Sequence, residues 1–238
     1  MVGNFKGKST CRHYLAALSC FRCHFCDSLY RCNPALLRSG FRLILNDRFF
    51  VLKRISQGDS NFVLKVFSRS YGKLTLIARG AARSVKRFGG GILEPPCLVD
   101  GVIKKSSREG QIHLLNEAKL VNAFEGLRKN FDQIETALAF MKSVDRLTED
   151  EDSDSLALFQ LLGNSLIALE SCTQPNLLKV HFQVRLLALL GVLPRESDYA
   201  TFLTNPVMKW QESQIDANTL KSVEQRMLDC IESIALRR

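Results

Sequence analysis

No run in this chain of 238 residues approaches the ~20 consecutive apolar residues that a membrane-spanning helix requires. That excludes an integral helical membrane protein. Histidine is scarce, at four residues, and neither an H-E-x-x-H nor a G-x-S-x-G pattern occurs. His113 falls in a strand-like stretch and His181 in an apolar helix-like one, so each reads as structural rather than as a base. The run Gly89 to Gly91 lacks the Lys-Ser/Thr ending of a phosphate loop and the spacing of a dinucleotide fingerprint, and reads as a flexible turn. The acidic cluster Glu149–Asp154 has no glycine-pivoted calcium pattern and reads as a solvated loop. No cofactor and no enzymatic activity are expected. "HYLAALSCF" follows Lys6, Lys8 and Arg12, but no small-x-small cleavage site follows it, so a cytoplasmic protein is expected.

What is present is a basic charge with an uneven distribution. Leu45 to Leu115 carries thirteen basic and five acidic residues, whereas Asn116 to Arg238 carries thirteen basic and eighteen acidic ones. A basic half joined to an acidic half points to a polyanion partner for the first. An apolar fraction of 46% suits a globular chain with a core that needs no staples. Cys97, Cys172 and Cys230 lie in apolar patterns and read as small buried hydrophobes.

From about Leu45 the pattern is that of short strands. "RFFVLKRIS", "FVLKVFSRS", "LTLIARG", "CLVDGVIKK" and "QIHLLNEAKL" are separated by the turns "QGDSN", "YGK" and "SSREG". "AARSVKRFGGG" is expected to be a loop because of its glycines. Five strands at this spacing, with one long basic loop, predict an OB-type barrel. Past Val121 the period changes. "AFEGLRKNFDQIETALAFMKSVDRL" places Phe124, Leu127, Phe131, Ile134, Leu138, Met141 and Val144 at steps of three and four, predicting an amphipathic helix with a break near Gly126. Asp154 or Ser155 is expected to cap the next helix, "LALFQLLGNSLIALES", which is nearly all apolar and reads as central. Pro175 opens another that stops at Gly191, with Pro194 beyond. "VLPRESDYATFLTNPVMKWQESQID" shows no period and reads as a long loop. "LKSVEQRMLDCIESIAL" closes the chain as a helix with Leu220, Val223, Met227, Cys230/Ile231 and Ile234 on one face. The fold class is therefore α+β in two domains: an extension over residues 1–44, an OB-fold over 45–118 and an all-α domain over 119–238.

Candidate binding residues follow from charge. Arg79, Arg83, Lys86 and Arg87 lie in the basic loop, Lys53 and Arg54 precede it, and Lys104, Lys105 and Arg108 edge the last hairpin. Such cations neutralise phosphates and release counterions, and exposed aromatics such as Phe62, Phe67, Tyr71 and Phe88 can stack on bases. The alternative is a solvated barrel face with its aromatics in the core, which is the expectation for Phe62 and Phe67.

Val51-Leu52, Gly58-Asp59-Ser60, Val66-Phe67 and Tyr71-Gly72-Lys73, with "LIARGAARSVKRFGGGILEPP", resemble the RecO family of bacterial recombination mediators. "NEAKLVNAFEGLRKNF" and "FQVRLLALLGVLP" fit that family's helical half, so the resemblance covers about Leu45 to Pro194 and returns weakly in the last helix. It implies an OB-fold followed by a helical domain. The activity it implies is binding of single- and double-stranded DNA, annealing of complementary strands, and loading of RecA onto SSB-coated strands together with RecR. Arg79, Arg83, Lys86 and Arg87 would lie on the DNA face. Lys179, His181 and Arg185 would receive the acidic C-terminal tail of SSB, or else form the polar stripe of their helix. The sequence departs from the family in three places. "LPRESDYATFLTNP" lacks the four-cysteine zinc site of many members, so no metal is expected there. "LEPP" replaces a Gln-Pro-Phe element, and the first strand starts near Phe49 rather than within about ten residues of the initiator methionine.

Cys20, Cys23, Cys26 and Cys32 sit before this resemblance begins. Cys20-Phe21-Arg22-Cys23-His24 matches haem attachment formally, but that chemistry needs export. A zinc site lacks a second, separated cysteine pair. The expectation is that the segment is an upstream translation, with the start near Leu43 to Asn46. A disordered extension and a working metal site are the alternatives.

Overall fold

The run Phe49-Phe50-Val51-Leu52 is apolar without alternation because it is buried from both sides. It lies in β1 (Ile44–Gln57), the first strand of the computed structural model, which describes residues 44–106, 112–150, 155–194, 197–213 and 215–236. β2 (Asn61–Ser68), β3 (Gly72–Ala78), β4 (Leu98–Lys104) and β5 (His113–Asn122) follow, and the sheet closes in the order β1-β2-β3-β5-β4. All pairs are antiparallel except β3 with β5, where Leu76 lies opposite His113 and Ile77 opposite Leu114. This is the strand order of an OB-type barrel. Its interior holds Phe49, Val51, Leu64, Val66, Leu76, Val99, Ile103 and Leu115. Gly101 faces inward, and a Cβ there would lie 2.5 Å from the Phe49 ring, so only glycine leaves that ring its space.

The β3–β4 connection is more ordered than its glycines suggest. Val85–Phe88 forms one helical turn, α1, because the glycine run follows this turn instead of interrupting it. Phe88, Ile92 and Leu93 fold into the barrel core, and Gly89 ends the turn at φ +52°. "LEPP" makes a turn with a cis Pro95–Pro96 peptide, in which the Cys97 N–H donates to the Glu94 carbonyl.

The outward side chains of the same barrel begin a second core. Phe50, Leu52 and Phe67 join Phe124, Leu162, Leu166, Phe182 and Trp210, with the Phe50 ring 4.8 Å from that of Phe159. The helices are α2 (Phe131–Leu147), α3 (Leu156–Glu170), α4 (Pro175–Leu189), α5 (Ala200–Thr204) and α6 (Ala217–Leu236). Barrel and helices belong to one compact unit, Arg42–Arg238.

Four local readings are corrected. The stripe of α2 is rotated: Ala137, Phe140, Met141, Val144 and Leu147 are buried, while Phe131 is 76% exposed and Leu138 is also outside. The smaller residues Thr136 and Ala137 are buried as well, and a count of large apolar residues misses them. The centre is held by α4, which packs on α2, α3, α5 and α6 and buries even His181 and Gln183. Ser155 stands at the N-cap of α3, but its hydroxyl is turned to the barrel. There it lies 3.3 and 3.1 Å from the Ser68 and Arg69 carbonyls and accepts the Gly72 N–H. Asp154 lies outside the described residues. Finally, the stretch after Pro194 is not a bare loop. Short turns at Ser197–Tyr199 and Val207–Glu212 flank α5, and with it they bury Tyr199, Phe202, Val207 and Trp210. No element there lasts long enough to show a period.

Other signals read directly. α4 ends in a Schellman motif, with the Val192 N–H on the Leu187 carbonyl and Gly191 at φ +70°. Val223, Met227 and Ile231 form the buried face of α6. Lys73 Nζ donates to the carbonyls of Asp145 (3.0 Å) and Thr148 (2.7 Å), satisfying the C-terminal end of α2 from the barrel side. Among the described residues no helix is long and apolar enough to cross a membrane, and no group of three or more His, Cys, Asp or Glu side chains is placed to hold a metal. Cys20, Cys23, Cys26 and Cys32 lie outside the described residues.

Candidate nucleic-acid interface

Arg79 leaves the end of β3 on a loop that the β1–β2 turn pins in place. The Gly80 N–H donates to Asn61 Oδ1 and the Ala82 N–H to the Ser60 carbonyl. Arg83 and α1 follow on this pinned loop. Arg87 is held by two hydrogen bonds, Nη2 to the Arg79 carbonyl at 2.9 Å and Nε to Ser84 Oγ at 3.2 Å, with its guanidinium over the Phe88 ring. Arg79, Arg83 and Lys86 are exposed, and none of the three pairs with an acid among the described residues. An unneutralised cation cluster on a fixed backbone is what phosphate contact requires.

α1 packs on β5, which carries the basic segment to the edge of a cleft of about 860 Å³ on the outer face of β1, β4 and β5. Along its floor, Arg48, Asp100 and Lys119 stand opposite one another on the three neighbouring strands. Lys86 and Arg87 line the cleft, as do Arg69 and Ser70 from the β2–β3 turn. The acids are Asp47, Asp100 and Glu117. Asp47 is engaged by Ser68 Oγ, by Ser70 Oγ at 3.1 Å and by the Ser70 N–H at 3.2 Å. Asp100 accepts two hydrogen bonds from Arg48, at 2.7 and 3.0 Å, with the side chains 47% and 42% exposed. That bond, aided by the charges of Arg48 and Lys119 and opposed by partial burial, holds the Asp100 carboxyl below the usual carboxylate range.

The other expected cations are dispersed. Past the register slip between Val51 and Lys53, Lys53 lies opposite Lys65 and Arg54 opposite Leu64, and as strand neighbours the two face opposite sides of the hairpin. Arg54 pairs with Glu94 at 2.6 Å and covers the Phe62 ring. Lys104 lies across from Ile44, and Lys105 Nζ is 5.8 Å from the Tyr71 ring centre. Arg108 lies outside the described residues. Phe67 and Phe88 are core, and Phe62 and Tyr71 are half-buried, so this surface presents charge rather than exposed rings. Sequence reasoning missed Arg48, Arg69 and Lys119. For Arg48 the available signal was position, one residue before the inward Phe49.

In the helical part, Lys179 Nζ pairs with Glu224 on α6 at 3.0 Å. Arg185 Nη1 donates to the carbonyls of Phe202, Leu203 and Asn205 at the end of α5. His181 is fully buried, its Nε2–H on the Asn205 carbonyl at 3.0 Å and its Nδ1 without a partner among the described residues. Burial, more than the neighbouring Arg185 charge, pushes the His181 pKa down. In the ordinary histidine range and below, the unfolded chain takes up a proton that the folded chain refuses. Stability is therefore complete above that range and declines as pH falls towards the folded value, by about 1.4 kcal/mol per unit of depression. Melting temperatures at pH 7 and pH 5 are expected to differ more in the native chain than in His181→Gln. An equal difference in both would remove His181 as the source. His113 is also structural: it is buried, and its Nδ1 accepts the Ser106 N–H.

Two family models match this chain in tandem, "Recombination protein O N terminal" over residues 43–124 and "Recombination protein O C terminal" over residues 128–201. Between them they take in well over half of the sequence, and their junction falls where β5 gives way to the helices. The chain belongs to the RecO family. Curated RecO relatives, each named DNA repair protein RecO, include that of Syntrophus aciditrophicus, 34% identical over 145 residues, covering 61% of this chain and 55% of the relative. That of Desulfosudis oleivorans is 32% identical, covering 60% and 55%, and that of Salinibacter ruber is 31% identical, covering 64% and 58%. The aligned part thus spans little more than half the length of these RecO proteins.

Proposed function

We propose that this chain is a non-enzymatic DNA-binding mediator of recombinational DNA repair, acting in the cytoplasm. It binds and anneals single-stranded DNA and, with RecR, helps load RecA onto SSB-coated strands. The observation that carries this reading is the exposed group Arg79, Arg83 and Lys86, without an acidic partner among the described residues, on a loop fixed to an OB-type barrel in a chain of the RecO family. Phosphate contact by such a group gives affinity that does not depend on base sequence, which suits a protein acting on any strand. The acidic SSB tail would meet the helical part at Lys179, whose ammonium would exchange Glu224 for a tail carboxylate, with Arg185 beside it on α4.

The test is annealing of two complementary labelled oligonucleotides, bare and SSB-coated. Faster annealing in both cases is the expected result. Binding without acceleration would instead make the chain an OB-fold adaptor for RNA or protein.

A further inference from the structure

The cleft on β1, β4 and β5 contains its own competitor for phosphate. Arg48 stands on β1 beside the middle strand β4, and both of its hydrogen bonds among the described residues go to Asp100. Lys119 stands on the other side of the same carboxylate. Asp47, next to Arg48 in the chain, is hydrogen-bonded by Ser68 at the end of β2 and by Ser70 beyond it, and among the described residues it makes no ion pair with Arg48. The pair is half exposed, so it is weak, and an incoming phosphate oxygen can reach the guanidinium without entering the core.

We infer that Asp100 is an affinity-limiting counter-ion: DNA phosphate entering the cleft must displace it from Arg48, and this keeps the barrel's hold on a strand weak and readily released. This rests on the DNA-binding reading above and makes the floor of the cleft, not only the basic segment at its edge, part of the strand path. In the native chain Arg48 is already neutralised, so swapping Asp100 for phosphate releases few extra counterions. With Asp100 uncharged, Arg48 becomes a full phosphate contact.

The experiment titrates a labelled oligothymidylate with the whole chain at several salt concentrations, comparing native protein with Asp100→Asn. The salt slope is expected to steepen by about 0.7, which between 1 M and 0.1 M salt compounds to roughly five-fold tighter binding at the lower concentration. Glu135→Gln, which removes one exposed negative charge from α2, should leave the slope unchanged. The double variant Arg48→Gln/Asp100→Asn should lose the gain. If Asp100→Asn leaves slope and affinity unaltered, or if Glu135→Gln tightens binding equally, the inference is overturned. The DNA-binding reading then stands or falls separately on Arg83→Ala/Lys86→Ala/Arg87→Ala. A flattened slope in that triple variant with no effect at Asp100 would place the strand on the segment and off the floor.

Discussion

Arg83→Ala/Lys86→Ala/Arg87→Ala is expected to flatten the salt dependence of single-strand binding by about two units, since each lost phosphate contact removes about 0.7. Between 1 M and 0.1 M salt that difference compounds to roughly a hundred-fold weaker binding at 0.1 M. The three side chains are exposed, so the fold should survive their loss. Arg87 is the partial exception, because it ties Arg79 and Ser84 together. Its loss loosens the loop that presents Arg79, which adds to the effect on binding rather than opposing it. Fluorescence anisotropy across a salt series reads the slope directly, and a melting curve on the same sample separates lost binding from lost folding. An unchanged slope in a folded variant would remove this segment from the interface.

Phe50→Ala should have the largest effect on stability. The ring starts from a barrel strand but is buried in the helical core, 4.8 Å from Phe159 and 6.3 Å from Phe124, with Gly163 making room for it. Phenylalanine-to-alanine changes in such sites cost about 3–5 kcal/mol, a large part of the 5–15 kcal/mol that holds a typical domain folded. The loss falls on the seam between barrel and helices, so cooperativity should suffer as well. The single tryptophan, Trp210, is buried among the helices and reports on them, whereas far-ultraviolet circular dichroism reports on the whole chain. In the native chain the two urea transitions should coincide. In Phe50→Ala they should separate and move to lower denaturant. A shift worth less than about 1 kcal/mol with coincident transitions would mean that the seam does not hold the two parts together.

Much of this was open to reading along the chain. Leu64, Val66, Leu74 and Leu76 alternate, and their strands are where that alternation puts them. Pro175 and Gly191 bound α4 because proline suits a first turn and glycine suits a left-handed exit. The basic segment was visible because its charges are local. The errors share a physical cause, which is that period counts weigh large apolar residues and ignore what they pack against. Phe131 and Leu138 kept the period of α2 but not its buried face, which uses Thr136 and Ala137. Tyr199, Phe202 and Trp210 are core without any period, because they are carried on two short turns and the five-residue α5. His181 and Arg185, expected to receive the SSB tail or to form a polar stripe on α4, both reach the Asn205 carbonyl, a contact that no local pattern shows.

By itself, the chain order determined the five strands and the four longer helices, the OB-type barrel ahead of those helices and the basic segment, because each rests on residues within a few positions of one another. The tertiary structure alone decided the cleft. Barrel closure brings β1 beside β4 and β4 beside β5, so Arg48, Asp100 and Lys119 meet across strands far apart in sequence. That Arg48 is already held by a carboxylate follows from that pairing, and no local pattern carries it.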